Sequence, residues 1–282
     1  MKTKIPLLLL LFMGCTSPSS EAIALEWINK ANTAHGTTLL DETSFSFQFR
    51  EYKYTYKKTK GKKVYSRTRN TAEGVLTDRL ENDRLFSRRL DGMPIAVPDS
   101  LQLVYTESLN SVLYFMQLPK VLKDRAVKAT YLRKVKIKGE PYVVLKVRFQ
   151  QAGGGVDFQD EYRYWINEHT HLIDYLAYRY HTNGGGTRFR ALKHRERHAG
   201  FVVQDYDNYK AEEKHPPLDD LPALYEAQTL TLVSVIENKD FQLLDWLQRL
   251  TFNQFNAVVK KAYDFAFVQK TNGFFKRFFA HL

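Results

Sequence analysis

Residues 128–150 read KATYLRKVKIKGEPYVVLKVRFQ, two apolar-alternating runs either side of Lys138-Gly139-Glu140-Pro141. In the second run Val143, Leu145, Val147 and Phe149 share one parity, which in an extended chain puts them on one face of a sheet. A turn of this composition between two such runs predicts a hairpin of adjacent antiparallel strands. The pattern repeats toward the C-terminus. Further strands are predicted over residues 160–166, 172–181, 187–195, 201–209 and 230–236. They are separated by turns such as Asn167-Glu168-His169-Thr170, the glycine run 183–186 and an irregular proline-rich connection over 215–225.

Toward the N-terminus, Phe45, Phe47 and Phe49 alternate with polar residues, and Tyr52, Tyr54 and Tyr56 then alternate on the opposite parity. The change of face predicts one strand over 44–58, either bulged near Arg50 and Glu51 or covered on both sides. Lys60-Gly61-Lys62 turns it into a second strand over 64–71. Short strands follow near 74–78, 83–89 and 93–97. Two helices are predicted. The first, over 21–35, is marked by Ala24, Trp27, Ile28, Ala31 and Ala34 and stopped by Gly36; the second runs over 101–118 to Pro119.

Successive antiparallel strands with only two sizeable helices before residue 240 do not suit a parallel α/β fold. The class predicted is α+β and β-rich: a large curved antiparallel sheet forming an open half-barrel, with helices packed on its concave face. Beyond Asp240 the spacing of Phe255, Val258, Val259, Ala262 and Ala266 predicts a helical C-terminal extension, 240–282.

At the other end, Lys2 and Lys4, the apolar run 5–13 and Gly14 before Cys15 have the order of a secretory signal, 1–14. The apolar run is too short to span a bilayer. Cys15, the single cysteine, has no disulfide mate within the chain and is expected to carry the lipid, with 15–20 as a polar tether and 21–239 as the folded body. No acidic residue follows Cys15 within this tether, and the expected location is the outer membrane, on the periplasmic face. The chain has 42 Lys and Arg against 31 Asp and Glu; without Lys2 and Lys4 it is 40 against 31, still basic. Such a balance favours anionic partners, and export argues against nucleic acid.

Asn110-Ser111-Val112 with Tyr114-Phe115 and Leu118-Pro119, then Asp160-Glu161-Tyr162 with Tyr164-Trp165-Ile166, then 173–178 (IDYLAY), 185–190 (GGTRFR) and Gln204-Asp205-Tyr206 form an ordered series of motifs. In that order they resemble the uncharacterised bacterial lipoproteins of domain-of-unknown-function family 6503, over about residues 21–238. That family is similar in fold to the periplasmic lipoprotein carriers, which implies an open sheet able to receive acyl chains. On this resemblance the 101–118 helix would lie over the sheet as a lid. The expected ligand-binding residues are Leu109, Val112, Phe115, Leu118, Val147, Phe149 and Trp165.

The expected function is non-catalytic: a protein held to the membrane by its acyl chains, binding or transferring a lipid or an acylated protein. A dry structural module of the envelope and a divergent enzyme acting on envelope glycan or lipid are the alternatives. No catalytic residue, metal or cofactor is expected, and the oligomeric state is left open. His194 and His198 frame Glu196, but a zinc helix needs the glutamate directly after the first histidine. His169 and His171 read as a surface turn. Asp157, Asp160 and Glu161 beside a glycine run match no calcium loop, but with a histidine they would favour an enzyme if they met at one concave site. Tyr52, Tyr54, Tyr56 and Tyr65 interleave with Lys53, Lys57, Lys58, Lys62, Lys63, Arg67 and Arg69, a pattern that suits an anionic headgroup layer, a glycan or a solvated sheet face.

Overall fold

A computed structural model describes residues 17–41, 43–59, 61–150 and 159–244. The antiparallel, β-rich class is the one observed. The strands divide between two seven-stranded sheets, and neither closes on itself.

The first sheet contains β1 (Ser44–Phe49), β2 (Tyr52–Thr59), β3 (Lys62–Thr71), β4 (Gly74–Glu81), β5 (Leu85–Leu90) and β6 (Met93–Ile95) in chain order, with β14 (Lys239–Leu244) beside β1. The second contains β7 (Val127–Ile137), β8 (Glu140–Phe149), β9 (Glu161–Asn167), β10 (Ile173–Tyr180), β11 (Gly186–His198), β12 (Phe201–Lys210) and β13 (Thr231–Ile236), also in chain order. The helices are α1 (Ser20–His35), α2 (Asp99–Met116) and α3 (Leu221–Glu226). Among the described residues no helix is long and apolar enough to cross a membrane.

Several elements differ from expectation for local reasons. The 44–58 run is a hairpin, not one bulged strand: Arg50 takes a positive φ of 54°, and the chain reverses there. Reversal cancels the change of parity, so Phe47 lies opposite Tyr54 and Phe45 opposite Tyr56 on one face. Residues 240–244, expected to open the helical extension, belong with Lys239 to strand β14, paired with β1. Within the proline-rich connection, Pro222 opens the short helix α3, where its missing N–H costs nothing. The β7–β8 turn is as expected: Lys138 and Gly139 both have positive φ, the geometry that matches strand twist.

The described residues form two compact units: those within 17–34, 122–192 and 207–234 in one, and those within 35–121, 193–206 and 235–244 in the other. The first has a core of Trp165, Tyr142, Val144, Tyr175, Phe189 and Leu221, in which the Tyr225 ring of α3 lies 5.3 Å from that of Phe189. The second has a core of Phe45, Phe47, Tyr54, Tyr56, Tyr65 and Leu80 with Leu109, Leu113 and Met116 of α2. Each fully buried side chain of this size contributes about 1.5–3 kcal/mol through removal of apolar area from water.

Helix α1 begins at Ser19, whose Oγ accepts the Ala22 N–H at 3.2 Å, and buries Ala24, Ile28, Ala31 and His35. Gly36 stops it at φ +68°, and a Cβ there would come within 2.1 Å of the Gly200 carbonyl oxygen. Gly36→Ala therefore meets backbone strain and backbone contact together. It should destabilise the fold by about 2 kcal/mol or more, read from the urea midpoint.

Burial, with the charges of Arg195 and Arg197, holds the His35 imidazole down to about 3. The unfolded chain takes up this proton near pH 6.5 and the folded chain does not. The stability is thus complete above that pH and is lost as pH falls toward 3. Between about pH 6 and 5, before most carboxylates titrate, the expected loss approaches about 1.4 kcal/mol per pH unit. His35→Gln should flatten that limb of the urea-unfolding profile.

Candidate functional site

Register across the first sheet sorts its apolar face into rows. Tyr56, Tyr65, Leu80 and Phe86 are neighbours in one row. Tyr54, Arg67, Asp78, Arg88 and Ile95 form the next. Arg69, Leu76, Leu90 and Met93 form the one beyond. Helix α2 packs against β3 and β4 across these rows.

The first row is closed. Rings of Phe45 and Tyr56 lie 5.1 Å apart, those of Tyr56 and Tyr65 5.6 Å, and Leu109 and Leu113 are fully buried against them. The Gln117 amide donates to the Tyr65 hydroxyl at 2.8 Å, and burial pushes Tyr56 up to about 12.

The second row holds a charge cluster. Arg67 Nε donates to Asp78 Oδ2 at 2.8 Å; Arg88 Nε donates to Oδ1 at 2.6 Å and its terminal nitrogen to Oδ2 at 2.9 Å. The Asp78 side chain is wholly buried. A further Arg67 nitrogen donates to Ser108 Oγ on α2 at 2.8 Å, and the Arg88 guanidinium lies 3.7 Å from the Tyr105 ring centroid. Its hydrogen bonds to Asp78 raise Arg88 above the ordinary arginine range. The cluster carries two positive charges against one negative.

The third row is open. Leu76 and Leu90 are half-buried, Met93 is 70% exposed, and Ile95 of the second row is 39% exposed. Helix α2 starts at Asp99, four residues after Ile95 ends β6. Leu101, 42% exposed, precedes Tyr105 by four residues and so flanks the sheet-facing side of α2, whereas Val104, 54% exposed, is turned away from the side that buries Leu109. Arg69 edges the row with its guanidinium 5.2 Å from the Tyr52 ring, and its buried Nε has no hydrogen-bond partner among the described residues. The geometry is an apolar strip open to solvent, floored by a sheet and headed by arginines.

Of the seven ligand-binding residues read from sequence, Leu109 is buried in the closed part and Val112 packs against it. Leu118 is buried just past the helix, and Phe115 is half-buried, edge-on to Tyr114. Val147 and Phe149 share a face of the second sheet with Tyr162 and Tyr178. Trp165, opposite Val144, points from the other face of that sheet into the core with Phe189. The structure therefore does not bring Trp165 together with Val147 and Phe149. The reason is the two-residue period of a strand, which alternates faces along β8 and β9. Cys15, expected to carry the lipid, lies outside the described residues, as do the expected signal, 1–14, Asp157 and positions from 245 on.

The remaining polar candidates separate too. Asp160 faces His181 Nδ1 at 3.2 Å, whereas Glu161 turns to Arg163 and Arg148 across the opposite face. His194 and His198 flank Glu196 along one strand at 3.8 and 3.3 Å. Among the described residues no group of three His, Cys, Asp or Glu could hold a metal ion. What the sequence reading missed is Asp78 as the centre of the arginine pair. A signal existed, since Arg67 shares the parity of Tyr65 in a strand with one buried face.

The fold and the strip together define a class: an open antiparallel-sheet protein with an apolar face partly covered by a helix. The model of a family of unknown function, DUF6503, matches residues 7–238, and the chain belongs to that family. No curated protein matches it. Among solved structures the chain is similar to a LolA superfamily protein from Nitrosomonas europaea, with 13% identity, a TM-score of 0.46 and coverage of 80% of this chain and 96% of that one. It is also similar to a putative outer membrane lipoprotein-sorting protein domain from Vibrio parahaemolyticus (9%, 0.39, 84% and 98%). A third is a DUF1329 family protein from Desulfovibrio piger (8%, 0.40, 79% and 94%).

Removing Asp78 leaves two guanidiniums buried without their carboxylate. Asp78→Ala should cost about 3–5 kcal/mol in urea unfolding. The joint replacement Arg67→Met, Asp78→Leu, Arg88→Met should recover most of that loss, since it removes the charges together. An Asp78→Ala variant as stable as the parent would contradict the account.

Proposed function

We propose that the chain is a non-catalytic envelope lipoprotein, anchored through acyl chains on Cys15, that holds an apolar chain of a lipid or acylated protein. The observation that carries this reading is the open row: Met93 and Ile95 remain exposed beside half-buried Leu76 and Leu90 on one face of the first sheet. Such contiguous exposed apolar surface marks a binding site more often than isolated exposed residues do. The occupant suits this strip rather than the closed rows where Leu109 packs. A non-catalytic role is favoured because Glu161 turns away from the Asp160 and His181 pair. The outer membrane, on the periplasmic side, is the proposed location, resting on the residues around Cys15.

The second reading, a dry structural module, is favoured by the full burial of Leu109 and Leu113 against the sheet. A fluorescent fatty-acid probe separates the two. Under the ligand-holding reading the parent binds it saturably, and Met93→Ser with Ile95→Ser weakens binding about tenfold with little change in unfolding midpoint, as expected for the loss of two partly exposed apolar contacts. Absence of saturable binding by the parent would favour the dry module. For the anchor, labelling with an alkyne fatty acid should mark the parent and leave Cys15→Ala unmarked.

A further inference from the structure

The far end of the β2–β3 hairpin carries charge that neither the core nor the apolar strip uses. Residues 57–63 read KKTKGKK, five lysines in seven positions with no acid among them. Lys57, Lys58 and Lys62 are exposed, and a Cβ at Gly61 would meet no atom within 4 Å, so the turn faces open space.

Register sets Lys58 directly opposite Lys63, a cross-strand like-charge pair that costs stability. Lys120, just past α2, adds a third ammonium. It pairs with Asp41 at 2.9 Å, and burial together with Lys58 and Lys63 holds it below the ordinary lysine range. Lys58 itself donates to the Asp41 carbonyl at 2.9 Å, and Lys63 pairs with Asp83 at 2.7 Å. Two carboxylates thus face five described lysines: 57, 58, 62, 63 and 120.

We propose that this lysine-rich end is the surface that docks the protein on a bilayer bearing anionic headgroups. Charge complementarity names the occupant, and the rings of the same hairpin decide between anionic partners. Tyr54, Tyr56 and Tyr65 are buried in the core, and Tyr52 lies under Arg67 and Arg69. A single-stranded nucleic acid needs exposed rings on which bases stack, and this hairpin offers none. Ammonium groups on flexible stems suit instead a fluid layer of phosphates, where each lysine near the surface adds attraction. This surface is separate from the apolar strip, so the inference stands whether or not the strip holds a ligand.

The test is co-sedimentation of the full chain, carrying Cys15→Ala so that no acyl chain contributes, with two kinds of vesicle. One kind is phosphatidylcholine alone and the other contains a third phosphatidylglycerol. Binding should be stronger to the anionic vesicles and fall as salt rises. Lys57→Gln, Lys58→Gln and Lys62→Gln together should reduce the partition coefficient about ten- to a hundredfold. These three positions are exposed, and Lys63 and Lys120 keep their pairs, so folding is preserved. A control with the same loss of charge elsewhere, Lys128→Gln, Lys136→Gln and Lys214→Gln, should bind like the parent. Equal loss in the control, unchanged binding by the hairpin variant, or preference for single-stranded DNA over anionic vesicles would overturn the proposal.

Discussion

Asp78 is held between Arg67 and Arg88 on the same face of the first sheet that buries Phe45, Phe47 and Leu80. A carboxylate so enclosed persists only where donors replace its lost water, and here every donor is a guanidinium fixed by strand register. The cluster also reaches α2 through Ser108 and Tyr105. It ties helix to sheet at the boundary between the closed aromatic rows and the open strip. The packing on one side and the exposure on the other both depend on where this charge sits.

The same face therefore changes character over three rows of residues. Aromatic rings fill the row where Leu109 and Leu113 of α2 are buried, and half-buried or exposed apolar side chains make up the row beyond the charge cluster. Between the two regions two guanidiniums meet one carboxylate, a net positive charge. On the second sheet the corresponding charges are neutralised in place: Glu161 with Arg148 and Arg163, and Asp219 with Arg133 and Arg163.

Most strands were legible because apolar residues alternate, and the two long helices because theirs recur every three to four positions. The 44–58 run shows the limit. Its parity change is compatible with a bulge or a reversal, and only the left-handed backbone at Arg50 selects the hairpin. Strand β14 was missed because its six residues, KDFQLL, carry no clear alternation and gain their pairing from β1, about two hundred positions earlier.

By itself the sequence determined the antiparallel class, most of the strands in chain order, and the surplus of lysine at one turn. These are local properties, carried by spacing and composition over a few residues. Only the tertiary structure decided that the strands split into two sheets and that Trp165 turns from Val147 and Phe149. It likewise decided that Asp78 joins two arginines and that the open strip lies at Leu76, Leu90 and Met93 beside Ile95. Each of these depends on which distant strand lies alongside, and pairing partners are set by long-range register that no local pattern encodes.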